Sequence, residues 1–426
     1  MDAAAGAEPT REGAPPDRRF LALAALLGAV GFAIACLVVD RLARAVFYGP
    51  LADAIWVRPF SNPAAAILAG GMPYRDVAIE YPPLSLPVFL LPALLGGGGY
   101  ERYRGFFEVL MTLCGMGVVP LVVATVARLG ARRSDVVAAV VLLAASPLLI
   151  GPITISRYDL WPALLTAGAV AATVFGRRRV GFALLGLGIL AKVYPAVLLP
   201  ILLAEAWRRA GRREALIGLG IVAAVGAAVM APFVLASPSG ALDPFLRTLA
   251  RPLQVESLGA SLLVLVHDIT GLPIRPVVFG FGSYNLDGAL PQALATLQSV
   301  AMLVGIVAVW ALALRGSLGP RRFVLAVAAA IVLEVGLGKV FSPQYVLWLV
   351  PVVAVLAPVR GPKPLLALAA IIVMTSVYYP SRYTDFITRY DLTATLALVE
   401  RNLGVLLFGI WLTLALRRGD EAVDIG

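Results

Sequence analysis

The chain consists largely of long apolar runs that are separated by short basic segments. The following runs contain no Asp, Glu, Lys or Arg: 20–39, 136–156, 215–242, 288–314, 340–359 and 364–381. Each has about 18 residues or more, which is enough for an α-helix to cross the roughly 30 Å hydrocarbon core of a bilayer. Because only helices and closed barrels satisfy every backbone polar group in lipid, this pattern predicts an all-α, polytopic membrane protein.

The basic segments set the predicted orientation, since Lys and Arg are enriched on the cytoplasmic side of membrane proteins. These segments are 11–19, 128–133, 177–179, 208–213, 315–322, 360–363 and 417–418. Placing all of them inside predicts about 12 membrane-spanning helices, with both termini in the cytoplasm. The predicted helices are 20–39, 104–127, 135–152, 160–176, two short helices between 180 and 207, and then 215–234, 291–314, 323–339, 345–359, 364–380 and 394–416.

This path predicts one membrane domain with two large outer loops. The domain is 20–416, its outer loops are 40–103 and 235–290, and its cytoplasmic tails are 1–19 and 417–426. We expect the first helix to be retained, because its apolar run is longer than the core of a usual signal peptide. Residues 84–99 are apolar but contain prolines and end in glycines, so we expect an interfacial helix within the first outer loop.

The segment 180–207 has basic residues at both ends but is too short for two full spans, which need about 40 residues. The sequence Ala191–Pro195 interrupts the apolar run in its middle. We therefore predict two short helices that meet at an outward-facing turn, with Lys192 near its apex. Irregular backbone at that depth is tolerated only against protein or a wet cavity.

Composition excludes several classes of site. The 426 residues are 60% hydrophobic and 14% charged, with a net charge of +10, two cysteines and one histidine. Cys36 and Cys114 are too few for a disulfide framework or a metal pattern, and His267 alone cannot form a multi-histidine site. No cofactor, no metal and no nucleic-acid partner is expected.

With the predicted topology, most polar residues in or beside the spans fall on the outer face. They are Asp53, Asp76, Glu80, Arg157, Asp159, Lys192, Arg251, Glu256, Lys339 and Gln344. Ionisable groups at membrane depth are costly and are therefore functional candidates. Simpler interpretations stay open for three of them: Arg157 and Asp159 as a helix-end ion pair or cap, and Lys339 as a snorkelling lysine. Lys192 is isolated in an apolar run and would suit an anion such as phosphate.

Five short motifs together resemble those of GT-C glycosyltransferases. They are GMPYRD (Gly71–Asp76), EYPP (Glu80–Pro83), RYD (Arg157–Asp159), GILAKVYP (Gly188–Pro195) and FSPQYVLWLVP (Phe341–Pro351). In this order they are similar to glycosyltransferase family 87, which comprises bacterial α-mannosyltransferases and arabinofuranosyltransferases. The resemblance implies a membrane enzyme that uses a polyprenyl-phosphate sugar.

The resemblance also implies roles for individual residues. Asp53 is the best match to the catalytic aspartate of the first outer loop, and Asp40 is the alternative. Gln344 stands where some family members have a histidine. The substrate-binding candidates are Asp76, Glu80, Tyr81, Arg157, Asp159, Lys192, Tyr194, Arg251, Glu256, Lys339 and Gln344.

The expected function is transfer of a sugar, mannose being the first choice, from a polyprenyl-phosphate donor to a hydroxyl of a lipid-linked or envelope glycan. The expected partners are that donor, a glycolipid or polysaccharide acceptor, and membrane lipid. The reaction is expected on the outer face of a bacterial inner membrane. A transporter or flippase for lipid-linked sugars remains the alternative, and a non-catalytic assembly partner is a third interpretation.

Overall fold

The structure, a computed structural model, describes residues 16–46 and 57–418 and is mostly helical. Its α-helices are α1 (Arg18–Val46), α2 (Arg58–Leu68), α3 (Leu86–Gly96), α4 (Tyr100–Arg128), α5 (Arg133–Ile150), α6 (Ile153–Ser156), α7 (Leu160–Val174), α8 (Arg178–Ala191), α9 (Leu199–Ala210), α10 (Arg212–Ala236), α11 (Pro238–Ala250), α12 (Leu258–Thr270), α13 (Ala289–Ala313), α14 (Pro320–Leu337), α15 (Val346–Ala354), α16 (Ala357–Arg360), α17 (Lys363–Tyr378), α18 (Tyr383–Arg389) and α19 (Leu392–Arg418). Three 3₁₀ helices are Pro83–Ser85, Tyr194–Leu198 and Pro343–Tyr345, and three short strands are β1 (Leu253–Gln254), β2 (Val278–Gly280) and β3 (Ser283–Leu286).

The prediction of a polytopic helical membrane protein is confirmed. Within the described residues, six helices are long and apolar enough to cross a membrane: α1, α4, α5, α10, α13 and α19. The pair α17 and α18, bent by 67°, makes up to seven if it counts as one span. The predicted count of 12 is not confirmed, because other apolar helices are shorter; α7, for example, has 15 residues.

The predicted break at Lys192 is confirmed. Helix α8 ends at Ala191, and Lys192 itself has an extended backbone with φ −162° and ψ 139°. A 3₁₀ helix with Pro195 near its start follows, and α9 begins directly after it with Pro200 in its first turn. Proline has no amide hydrogen and is tolerated in a first turn, so each proline ends one helix and allows the next to begin.

Both predicted loop segments, 40–103 and 235–290, contain secondary structure. In the first, α2 and α3 are present, and α3 confirms the helix predicted within 84–99. The second contains α11, α12 and an antiparallel sheet in the order β1-β3-β2, which the sequence analysis did not predict. These strands have two to four residues, which is too short for an alternating pattern to be visible.

The two loop segments pack against each other at Gly240. A Cβ on Gly240 would lie 1.8 Å from the carbonyl oxygen of Tyr74, so only glycine allows this approach. Tyr74 has a φ of 65° and its ring packs edge-on against Phe233 at 5.2 Å. The contact therefore holds the first loop segment against the start of the second.

The most buried elements are α14 and α15, which lie in the interior of the bundle. All nine residues of α15 are buried, as are the consecutive residues 323–333 of α14. By contrast, α10 has an apolar window with no buried residue, which is typical of a helix that faces lipid. Several of the predicted site residues lie where α7 begins, where α8 ends and just before α15.

Candidate active site

Lys192 and Asp159 form a buried ion pair between the end of α8 and the start of α7. The Lys192 Nζ atom donates to Oδ1 of Asp159 at 2.6 Å, and the two side chains are 14% and 1% exposed. The indole Nε1 of Trp348 donates to the same oxygen at 2.7 Å. The ring centroids of Tyr158, Trp348 and Tyr345 lie 4.8, 5.0 and 5.3 Å from Nζ. One carboxylate and three ring faces thus hold the ammonium in a largely dry environment.

A stack of three aromatic rings forms one wall of this pocket. Tyr194 stacks on Trp348 with centroids 4.1 Å apart, and Tyr345 stacks on Trp348 at 3.9 Å. The Tyr194 hydroxyl is 3.0 Å from Oγ1 of Thr166 on α7. The motif that ends at Pro195 and the motif that begins at Phe341 therefore meet here, although they are distant in sequence.

Tyr81 joins this pocket to the first loop segment. Its ring packs edge-on against Tyr158 at 4.9 Å. Burial raises the pKa of Tyr81 to about 12, while the positive charge of Arg157 acts in the opposite direction. Glu80 and Arg251 also act electrostatically on Tyr81, so charges from both loop segments lie around this ring.

Arg251 and Glu80 approach each other across Gly282. A Cβ on Gly282, which has a φ of +65°, would lie 2.7 Å from Oε2 of Glu80 and 3.9 Å from Nη2 of Arg251. The Arg251 Nη2 atom donates to the carbonyl oxygen of Phe281 at 2.7 Å, which fixes its direction. The positive charges of Arg251 and Arg157 both lie close enough to repel the ammonium group of Lys192.

We call Glu80, Arg157, Asp159, Lys192 and Arg251 the cation cluster. Its three basic residues and two carboxylates leave a surplus of one positive charge. The Lys192–Asp159 pair is neutral as a whole, so the surplus is associated with Arg157, Arg251 and Glu80. A surplus positive charge in a partly buried setting favours an anionic group such as a phosphate.

A second polar network lies behind the cluster and is centred on Arg401 of α19. Arg401 is fully buried, and its guanidinium donates to the Tyr378 hydroxyl at 2.5 Å, to the Glu256 carbonyl oxygen at 2.5 Å and to the Phe341 carbonyl oxygen at 3.3 Å. Asn402 donates to the same Glu256 carbonyl oxygen at 3.1 Å. This network fixes the start of α12 and the segment before α15 to α19.

The Glu256 carboxylate receives its hydrogen bonds from neutral groups. The Tyr378 hydroxyl donates to Oε1 at 3.0 Å, and the Gln254 amide donates to Oε2 at 2.7 Å. Burial raises the pKa of Glu256 to about 7, and the positive charge of Arg401 acts in the opposite direction. Gln254 also donates to Ser342 at 2.7 Å, so Glu256 is connected to the motif before α15.

Several predicted site residues lie outside the cation cluster. Asp76 accepts from the Met72 amide at 3.0 Å and pairs with Arg75 at 2.8 Å, and this pairing lowers the Asp76 pKa to about 2. Lys339 donates to the carbonyl oxygen of Leu249 near the end of α11 at 2.8 Å. Asp76 is thus positioned as a turn residue and Lys339 as a helix-end donor.

Three further predicted candidates are Asp53, Asp40 and Gln344. Asp53 lies outside the described residues. Asp40 pairs with Arg104 at 3.4 Å, and the Arg104 side chain is itself buried. Gln344 is half-buried in the 3₁₀ helix before α15. Across residues 16–46 and 57–418, no three His, Cys, Asp or Glu residues lie together as a metal site would require.

The sequence analysis missed four polar residues that the structure places near these sites. Arg401 and Asn402 form the network behind the cluster, and Trp348 binds Asp159. Glu334 acts electrostatically on Tyr194, and its buried Oε2 atom makes no hydrogen bond within the described part of the chain. The sequence did indicate Glu334 and Arg401 as candidates, because each is an ionisable residue inside an apolar run.

Comparison with known proteins identifies the family. The sequence model of glycosyltransferase family 87 matches residues 79–343, which is more than half of the chain. The chain belongs to glycosyltransferase family 87. It is thus a glycosyltransferase, and its long apolar helices make it a multi-pass membrane protein, as the sequence predicted. A comparison with curated proteins gives no match.

The family 87 chain is also similar to solved structures. One is ArnT from Cupriavidus metallidurans in the apo state, at 15% identity and a TM-score of 0.48, covering 94% of this chain and 77% of that chain. Another is the apo oligosaccharyltransferase of Archaeoglobus fulgidus, at 15% identity and a TM-score of 0.44, covering 94% of this chain. This chain spans 55% of the archaeal protein's length.

Proposed function

We propose that this protein transfers a sugar from a polyprenyl-phosphate donor to a hydroxyl of a lipid-linked or envelope glycan, on the outer face of a bacterial inner membrane. Mannose is the proposed sugar. The observation that carries the proposal is the surplus positive charge of the cation cluster in a member of a glycosyltransferase family. Because its lipid tail stays in the bilayer, such a donor can reach the site only from the membrane.

The leaving group of the proposed reaction is a polyprenyl monophosphate, so negative charge develops on the phosphate oxygen as the bond to the anomeric carbon breaks. Preorganised cations in a site of low dielectric stabilise such charge. Arg157 and Arg251 are proposed to do this directly. Lys192, already paired with Asp159 at 2.6 Å, contributes its exposed part to the same surface.

The acceptor hydroxyl must lose its proton as its oxygen attacks the anomeric carbon, and a carboxylate within hydrogen-bond reach can accept that proton. We assign this role to Asp53, which the sequence places in the first outer loop ahead of Gly71–Asp76. The new bond forms between the acceptor oxygen and the anomeric carbon, and polyprenyl phosphate leaves. A single displacement of this kind inverts the anomeric configuration.

The direct test is incubation of the purified protein with polyprenyl-phosphate-mannose and, separately, polyprenyl-phosphate-arabinose. Mass analysis should detect released polyprenyl phosphate in the presence of a glycan acceptor. Release from the arabinose donor alone would replace mannose in the proposal. If neither donor releases polyprenyl phosphate, with acceptors that contain mannose or arabinose, the assigned donor class would be contradicted.

The role of Asp53 is tested by Asp53→Asn, which keeps the size of the side chain but removes the basic oxygen. Turnover should fall by about 10²-fold or more while donor binding is retained. Asp76→Asn is the matched control from the same loop, since Asp76 is engaged in a turn with Arg75 and Met72. A large loss in Asp40→Asn with normal turnover in Asp53→Asn would move the base to Asp40.

A further inference from the structure

A cleft lies at the opposite end of α7 from the cation cluster. It is lined by the C-terminal ends of α4, α7 and α9 and by the first turns of α8 and α14. The 15 residues of α7 separate the two sites by about 22 Å, so the cleft takes no part in the site described above. Its volume of about 100 Å³ is several times the roughly 10–15 Å³ that one water molecule requires, which leaves room for a phosphate group.

The charged lining of this cleft is predominantly basic. Arg178 binds Glu205 with both ends of its guanidinium, at 2.9 and 3.0 Å, and Arg209 lies 3.7 Å from the same carboxylate. The Arg128 side chain also lines the cleft and makes no hydrogen bond or ion pair with any residue in 16–46 or 57–418. Three arginines thus face one carboxylate.

The helix ends do not neutralise this surplus. Each helix terminus carries about half an elementary charge, negative at the C-terminus and positive at the N-terminus. Three C-termini and two N-termini around the cleft contribute about −0.5 in total. Added to three arginines and one glutamate, this leaves about +1.5 charges in the cleft. An anion is therefore favoured there even after the helix dipoles are included.

The surroundings of the cleft are those expected at the level of lipid headgroups. The side chains of Phe175 and Trp207, beside the arginines, are 47% and 58% exposed. Trp is enriched at membrane–water interfaces, where its ring adjoins both lipid and water. The basic segments 128–133, 177–179 and 208–213 are those that the sequence pattern assigns to the cytoplasmic side. That leaflet is rich in anionic phospholipids.

We propose that this cleft binds the headgroup phosphate of an anionic phospholipid. Arg128 and Arg209 donate to the phosphate, and Arg178 stays on Glu205 and holds its carboxylate away from the anion. The acyl chains of the lipid then extend along the neighbouring apolar helices. This lipid site is separate from the cation cluster, so its test does not depend on the identity of the sugar donor.

The test uses the full-length protein in detergent, titrated with phosphatidylglycerol or phosphatidylcholine and followed by native mass spectrometry. The wild-type protein should retain phosphatidylglycerol more tightly than phosphatidylcholine. Arg128→Gln with Arg209→Gln should weaken phosphatidylglycerol binding by about 25-fold, since each basic residue at a charged surface contributes about fivefold. Arg128→Lys with Arg209→Lys keeps the charge and should retain most of the binding.

Arg212→Gln is the matched control, because Arg212 is an exposed arginine at the start of α10 that does not line the cleft. It should bind phosphatidylglycerol as the wild type does. Equal binding of the two lipids by the wild type would overturn the proposal, as would an equal loss in Arg212→Gln. Displacement of phosphatidylglycerol by an equal concentration of inorganic phosphate would overturn the assignment to a lipid headgroup.

Discussion

Lys192→Met tests whether the lysine serves the fold, the donor or both. Methionine fills a similar volume without the charge. Among the described residues, the change leaves the Asp159 carboxylate, 1% exposed, with only the Trp348 indole as a donor. Removing one partner of a buried ion pair costs about 3–5 kcal/mol, because the remaining charge stays desolvated. The loss of three cation–ring contacts acts in the same direction.

A second change separates the two possible roles of Lys192. Asp159→Asn keeps an acceptor oxygen for Trp348 but removes the negative charge. In Lys192→Met with Asp159→Asn, no unpaired charge is left, so the free energy of unfolding should return towards that of the wild type. The coupling between the two sites should be about 2–3 kcal/mol, near the upper end for neighbouring residues.

The assay pairs a reversible unfolding titration in mixed micelles with donor turnover. If Lys192 also binds the donor phosphate, the double variant should be stable yet still use the donor at least about tenfold less well, which corresponds to about 1.4 kcal/mol. Arg177→Ala, at the opposite end of α7, is the control and should leave donor use unchanged. Normal donor use by the double variant would show that Lys192 is structural. A double variant as unstable as Lys192→Met would refute the argument from an unpaired carboxylate.

Three further experiments test the packing and the topology. In a thermal unfolding assay, Gly240→Ala should destabilise the protein by about 1–3 kcal/mol, because its Cβ would meet backbone from the first loop segment. Gly226→Ala, in open space within α10, should stabilise the protein by about 0.5–1 kcal/mol in the same assay. Arg401→Met should cost about 1–3 kcal/mol for each buried oxygen left without a donor, and unchanged stability would contradict the network. Cysteines at Ser61 and Gly419 should differ in labelling by an impermeant reagent on intact cells, and equal labelling would contradict the predicted orientation.

Local sequence signals predicted the helices and their main interruption. Apolar runs predicted the six helices that are long enough to cross a membrane, although not the count of 12. The proline after Tyr194 predicted the break at Lys192, because proline acts on its immediate neighbours. The sequence also assigned Glu80, Arg157 and Arg251 to one face, and the structure brings them together. The predictions of helices and of the break depend on a few adjacent residues. The prediction of a shared face depends on the chain crossing the membrane repeatedly.

The partners of the charged residues could not be predicted in the same way. Asp159 and Lys192 are 33 residues apart, and the Arg401 guanidinium bonds to Glu256 across 145 residues. Such pairs depend on how the helices pack, and a single sequence carries no direct signal for packing. The three-stranded sheet was missed for a related reason, since its strands are stabilised by partners from distant segments rather than by their own pattern.

The pairing pattern changes which cations are the better candidates for binding phosphate. The sequence analysis favoured Lys192 for an anion such as phosphate and left simpler roles open for Arg157 and Lys339. In the structure, the charge of Lys192 is balanced by Asp159, and Lys339 donates to the end of α11. The one surplus positive charge of the cation cluster is therefore associated with Arg157, Arg251 and Glu80 taken together. The positions of the carboxylates, rather than the number of basic residues, determine where this protein can hold an anion.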